Sequence, residues 1–161
     1  SLILMIGLLF ITTPSYGNIE VGTGLSSATG GRTVPTLALG VHLSNWTASG
    51  FATGVQSEYY YHSAYAAHLF RTWKSGTFLG GNVESGFGGG LYYSQRAYQA
   101  SNETVETTSS DFVFGPAYRL HLVYWDHVYI NMDAIFGLRD FSLHTALTFQ
   151  DVISLSLGVT F

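Results

Sequence analysis

From residue 18 onward the apolar positions recur every second residue. The last segment shows it most clearly. Ile153, Leu155, Leu157, Val159 and Phe161 share one face, with Ser154, Ser156, Gly158 and Thr160 on the other. Residues 128–139 repeat the rule: Val128, Ile130, Met132, Ala134, Phe136 and Leu138 lie on one side, and Tyr129, Asn131, Asp133, Gly137 and Arg139 on the other. A period of two is the signature of a strand with one apolar face. Eight such segments are predicted, at 18–25, 34–44, 49–60, 64–73, 77–93, 111–123, 128–139 and 151–161. No stretch of this part carries a helical stripe.

The polar face decides what kind of sheet this is. It holds Gly, Ala, Ser, Thr and Asn with isolated charges, whereas the outer face of a soluble sheet is richly charged. Small polar residues suit the interior of a narrow closed barrel, and the apolar face then meets lipid. Strands of about ten residues match a tilted bilayer crossing. The connections alternate in the same sense. The second, fourth and sixth are short, near Asn45-Trp46-Thr47, Lys74-Ser75-Gly76 and Trp125-Asp126-His127, and the odd ones are longer. Both termini then share the side of the short turns. The prediction is an all-β, eight-stranded, antiparallel up-and-down transmembrane barrel spanning residues 18–161.

Composition supports this. Of 161 residues only 10% are charged, 16% are aromatic, and 19 are Gly. Six Lys and Arg against ten acids leave no basic footprint for nucleic acid. Cysteine is absent, which excludes disulfides and thiolate chemistry. Trp46, Trp73 and Trp125 fall at the three short turns, and Tyr59, Tyr61, Tyr65 and Tyr93 near the opposite rim. Amphipathic rings prefer the headgroup zones, so these residues are expected to form two interfacial girdles.

The first seventeen residues differ. Leu2 to Ile11 is an unbroken apolar run, too short to span a bilayer as a helix but matched to a signal-peptide core. Ser15 and Gly17 occupy the −3 and −1 places of a cleavage site. Residues 1–17 are therefore expected to be a cleaved leader. The run starts at Ser1 without the basic residues that precede such a core, as in a leader missing its first residues.

Inward parity collects Glu20, Glu58, Glu84, Arg119, Asp133 and Arg139, with Tyr129, Phe70, Gln56 and Asn82 as filling. Counted from the short turns, Glu84, Arg119 and Asp133 fall at similar heights. Because one guanidinium satisfies two buried carboxylates, a Glu84–Arg119–Asp133 network is expected in the lumen. Gly86, Gly88 and Gly90 share that parity; with no strand–loop–helix context they make room for side chains rather than hold phosphate. Pro35 and Pro116 fall inside strands, where each costs a ladder bond and marks a bulge or strand end. His42, His68 and His121 point inward, and no histidine pair has zinc-site spacing, so no metal and no cofactor are expected.

The closing residues carry the most specific resemblance. The chain resembles the small eight-stranded outer-membrane barrels of Gram-negative bacteria, the group of the OmpA transmembrane domain, OmpX and the opacity proteins. In that group a C-terminal aromatic preceded by alternating apolar residues is the assembly signal, matched here by Phe161, Val159, Leu157, Leu155 and Ile153. The resemblance implies insertion by the barrel-assembly machinery into the bacterial outer membrane, with both termini periplasmic. It implies outer-membrane lipid and lipopolysaccharide as surroundings. The leading reading is a structural or surface-interaction role, with the polar segment 94–110 as an external loop able to meet a surface ligand. Some barrels of this size modify lipid A with a histidine, a hydroxyl and an acid at the outer rim. His62 with Ser63 and Glu58, and His144 with Ser142 and Asp140, are the candidate sets for that alternative. A narrow channel is the third reading.

Overall fold

The computed structural model describes residues 18–28, 33–57, 60–99, 106–139 and 148–161. The expected leader, Glu58, Tyr59 and the Asp140, Ser142 and His144 set lie outside the described residues. Eight strands follow in order: β1 (Ile19–Ala28), β2 (Val34–Leu43), β3 (Trp46–Ser57), β4 (Tyr60–Phe78), β5 (Gly81–Gln99), β6 (Glu106–Tyr124), β7 (Val128–Arg139) and β8 (Thr148–Thr160). Each pairs antiparallel with its neighbours, and β8 pairs back to β1, so the sheet closes. The backbones of Ile19 and Phe161 seal the seam by exchanging bonds of 3.1 and 2.9 Å. Closure leaves no unpaired edge, which is what a sheet in lipid requires.

The side chains sort as the alternation demands. On β8, Ile153, Leu155, Leu157, Val159 and Phe161 are exposed, while Val152, Ser154, Ser156 and Thr160 are buried. On β7 the inward row Tyr129, Asn131, Asp133 and Ile135 is buried against outward Ile130, Met132 and Phe136. Tyr65, Tyr93 and Phe112 form one outward row across three strands, with Tyr61 beyond it. Both chain ends lie with the short turns: Asn18 accepts a bond from His42 N at 2.9 Å, and His127 accepts one from Thr160 N at 2.8 Å.

The structure corrects several expectations. Lys74-Ser75-Gly76 is no turn but part of β4, with a register shift between Lys74 and Gly76. The chain reverses at Leu79-Gly80, where both residues have positive φ (47° and 82°), the geometry of a two-residue hairpin turn. Trp73 is therefore five residues short of its strand end, although it stays exposed near the level of Trp46, whose ladder partner is Arg71. Segment 94–110 is mostly ladder: pairing runs from Ser94↔Asp111 to Gln99↔Glu106, so a polar composition that reads as loop is a protruding hairpin. The third connection is not a long one, since β3 ends at Ser57 and β4 starts at Tyr60. Gln56 lies on the outer face of β3, where Thr47, Phe51 and Thr53 are the buried row and Ala48 and Gly54 the exposed one. Small residues outside and a large ring inside invert the usual hydropathy cue. Pro116 makes no bulge. It falls in a gap in the β6–β7 ladder between Phe114↔Leu138 and Ala117↔Ile135, with the register unchanged.

Candidate functional site: the lumen plug

The interior is layered. In the half nearest the short turns lies an ionic layer. Glu20 of β1 reaches across the lumen to β6, where Arg119 Nη2 donates to its Oε2 at 2.5 Å. The other oxygen, Oε1, faces two imidazoles: His42 Nε2 at 2.5 Å and His121 Nε2 at 2.9 Å. Arg119 also places Nη2 3.1 Å from His121 Nδ1. Its Nη1 lies 3.9 Å from Asp133 Oδ2, an ion-pair distance rather than a hydrogen bond. Asp133 accepts from Asn131 Nδ2 at 2.8 Å and lies 4.0 Å from His68. Thr47 Oγ1 sits 3.0 Å from the far side of the His42 ring, at Nδ1. Arg119 is wholly buried, with its Cζ 5.9 Å from the Phe70 ring centroid. A buried charge of this kind is tolerable only when paired, and here acids from β1 and β7 supply the pairing.

Above this layer sits an apolar one. Phe51, Phe70, Tyr92, Val113, Ile135 and Val152 pack with Ala64, Ala66 and Ala117 inside the barrel. Glycine makes this possible at a close approach between β5 and β7. A Cβ on Gly90 would lie 2.7 Å from Ile135 Cγ1, closer than side-chain atoms approach. The filling is thus only partly polar, which corrects the expectation of a polar lumen throughout. Nearer the rim opposite the short turns charge returns: Arg96 Nη2 lies 3.6 Å from Asp111 Oδ2, and His62 lies beside them on β4, its ladder partner being Arg96.

The network expected from sequence changes one member. Arg119 meets Asp133, but the second acid is Glu20, not Glu84. With the β4–β5 turn displaced to Leu79-Gly80, Glu84 stands only three residues beyond β5's first residue and opposite Lys74. It is partly exposed and lines the lumen mouth, in a cavity of about 320 Å³ that also borders Glu20, His42 and His121. Height counted from the short turns does not find Glu20, which stands one residue past the start of β1 and reaches Arg119 across the closed lumen. The three side chains Glu20, His42 and His121 each offer one metal-ligand atom, all within 4.8 Å of one another. Sequence spacing does not bring them together, because they come from β1, β2 and β6.

The catalytic alternative gains nothing from the described residues. His62 and Ser63 are consecutive on β4, so their side chains leave opposite faces of the sheet. The hydroxyl and the imidazole do not converge.

An eight-stranded closed antiparallel barrel with a filled lumen matches solved structures over nearly its whole length. It aligns with the N-terminal β-barrel domain of Pseudomonas aeruginosa OprF at a TM-score of 0.57 and 6% identity, covering 91% of this chain and 98% of that one. It aligns with neisserial surface protein A at 0.51 and 10% identity, covering 91% and 96%. The attachment invasion locus protein of Yersinia pestis, bound to the heparin analogue sucrose octasulfate, aligns at 0.55 and 12% identity, covering 90% and 97%. The fold is that of the small outer-membrane barrels. No protein-family model matches the chain, and no curated protein matches it in sequence.

Proposed function

We propose that this chain is an integral outer-membrane protein whose role is structural and surface-interactive, and that it is not a pore. One observation carries the reading: Arg119, fully buried, is bound to Glu20 from another wall and backed by an apolar layer, so the lumen is closed by packing. An eight-stranded barrel has an interior just wide enough for such filling. In planar bilayers the purified protein is expected to give no steady conductance steps. Stable ion steps would overturn the closed-lumen reading.

The surface role rests on strand length. β4, β5 and β6 have 19 residues each, well beyond the 9–11 that a tilted crossing needs. The β5–β6 hairpin therefore stands out from the rim beyond the Tyr65–Tyr93–Phe112 row, with the termini and short turns on the periplasmic side. This is the part placed to contact a surface ligand. The chain has no cysteine, so a single Ser109→Cys gives a clean topology probe. On intact cells it is expected to react with a membrane-impermeant maleimide; protection until the outer membrane is breached would reverse the orientation. The apolar C-terminal row ending at Phe161 is the proposed assembly signal. Deleting Phe161 is expected to reduce the heat-modifiable folded form recovered in the outer membrane.

A further inference from the structure

We infer that Glu20, His42 and His121 form a binding site for a divalent transition-metal ion, of the zinc class, at the short-turn mouth of the lumen. The donor set is one carboxylate oxygen and two imidazole nitrogens, which suits zinc and its neighbours rather than magnesium or calcium. The three atoms already converge: Glu20 Oε1 lies 2.5 Å from His42 Nε2 and 2.9 Å from His121 Nε2. Bonds of 2.0–2.1 Å to a tetrahedral ion place ligand atoms about 3.3 Å apart, so each donor withdraws by less than about 1 Å to admit the ion. The site has an entrance, because all three residues border the cavity of about 320 Å³ that Glu84, Asp126 and Lys74 also line. Three acids against one lysine make that mouth attractive to a cation.

The surroundings already orient the ligands. Thr47 Oγ1, 3.0 Å from His42 Nδ1, accepts the ring's outer N–H when Nε2 binds metal. Arg119 occupies Glu20 Oε2 and leaves Oε1 to the ion. In the metal-free protein the contacts fit neutral rings with the proton on Nε2, facing Glu20 Oε1, and Nδ1 as the acceptor toward Thr47 or Arg119. On metal binding that proton moves to Nδ1 of a neutral ring. At His121 the Nδ1 contact with Arg119 then gives way, while the guanidinium keeps its two acids. The nearby positive charge weakens the site without blocking it.

The test uses the full barrel, without a histidine tag, folded in detergent micelles. Titration with zinc chloride by calorimetry is expected to show one ion per chain at micromolar zinc, undisturbed by excess magnesium or calcium. His42→Gln is expected to weaken binding tenfold or more, and His127→Gln, in the exposed β6–β7 turn, to leave it unchanged. X-ray absorption at the zinc edge of the unaltered protein is expected to show two imidazoles in the coordination shell. That last measurement decides the matter even if His42→Gln does not fold. Absence of saturable zinc uptake, equal binding by His42→Gln, displacement by calcium, or a shell without imidazole would overturn the site.

Discussion

The two halves of the lumen are filled by opposite means. Near the short turns the filling is ionic: Arg119, Glu20, His42, His121 and Asp133 hold one another in fixed geometry. Beyond that layer, away from the short turns, it is apolar, with Phe51, Tyr92, Val113, Ile135 and Val152 packed against alanines. The difference lies in how each layer fails. An ionic layer is directional, and removing one partner leaves an uncompensated buried charge. An apolar layer is non-directional and loses only contact and cavity energy. The ionic half therefore fixes register between β1, β6 and β7, while the apolar half closes the bore.

The sharpest way to break this contrast is Arg119→Met. It keeps the volume but strands Glu20 and Asp133 in the interior. The expected loss is about 3–5 kcal/mol of unfolding free energy, read from urea unfolding in phospholipid vesicles. A loss no larger than that of an apolar truncation would show that water reaches the layer and screens it. Ile135→Ala follows, with an expected cost of about 2–4 kcal/mol from lost transfer energy and a residual cavity. Gly90→Ala should cost about 1–3 kcal/mol through overpacking, since its new Cβ would lie 2.7 Å from Ile135 Cγ1. Combining Gly90→Ala with Ile135→Ala should be less damaging than the sum, because the second change removes the atoms the first one strikes. A strictly additive double variant would mean the strand shifts instead of the side chain.

These residues also show where sequence reading works and where it stops. β7 and β8 were legible because large aliphatics stand on the lipid side and small polar residues on the other. β3 was not: its inward row contains Phe51, and its outward row contains Ala48, Ala52 and Gly54, so hydropathy does not mark the faces. Lys74-Ser75-Gly76 has turn chemistry and reads as the β4–β5 turn, while the real turn uses Leu79, a residue rarely placed at positive φ. Parity and height on β6 and β7 bring Arg119 and Asp133 together, and the two are ladder partners. Glu20, His42 and His121 meet only because the closed sheet brings β1 and β2 opposite β6, and no local pattern encodes that closure.

Glu84→Gln is expected to have the smallest effect, and it tests the placement of that turn. Had the chain reversed at residues 74–76, Glu84 would stand at mid-barrel height in range of Arg119, and neutralising it would unbalance a buried network. In the structure it stands near the mouth, partly exposed, with Lys74 and His121 as its ladder partners. Exposed pairs of this kind contribute little, so the change should fall within about 0.5 kcal/mol. Glu20→Gln in the same urea assay provides the contrast, since its carboxylate holds Arg119 and faces two imidazoles at once. If Glu84→Gln cost as much as Glu20→Gln, the second acid of the network would be Glu84 after all, and the β4–β5 hairpin would have to slide inward to deliver it.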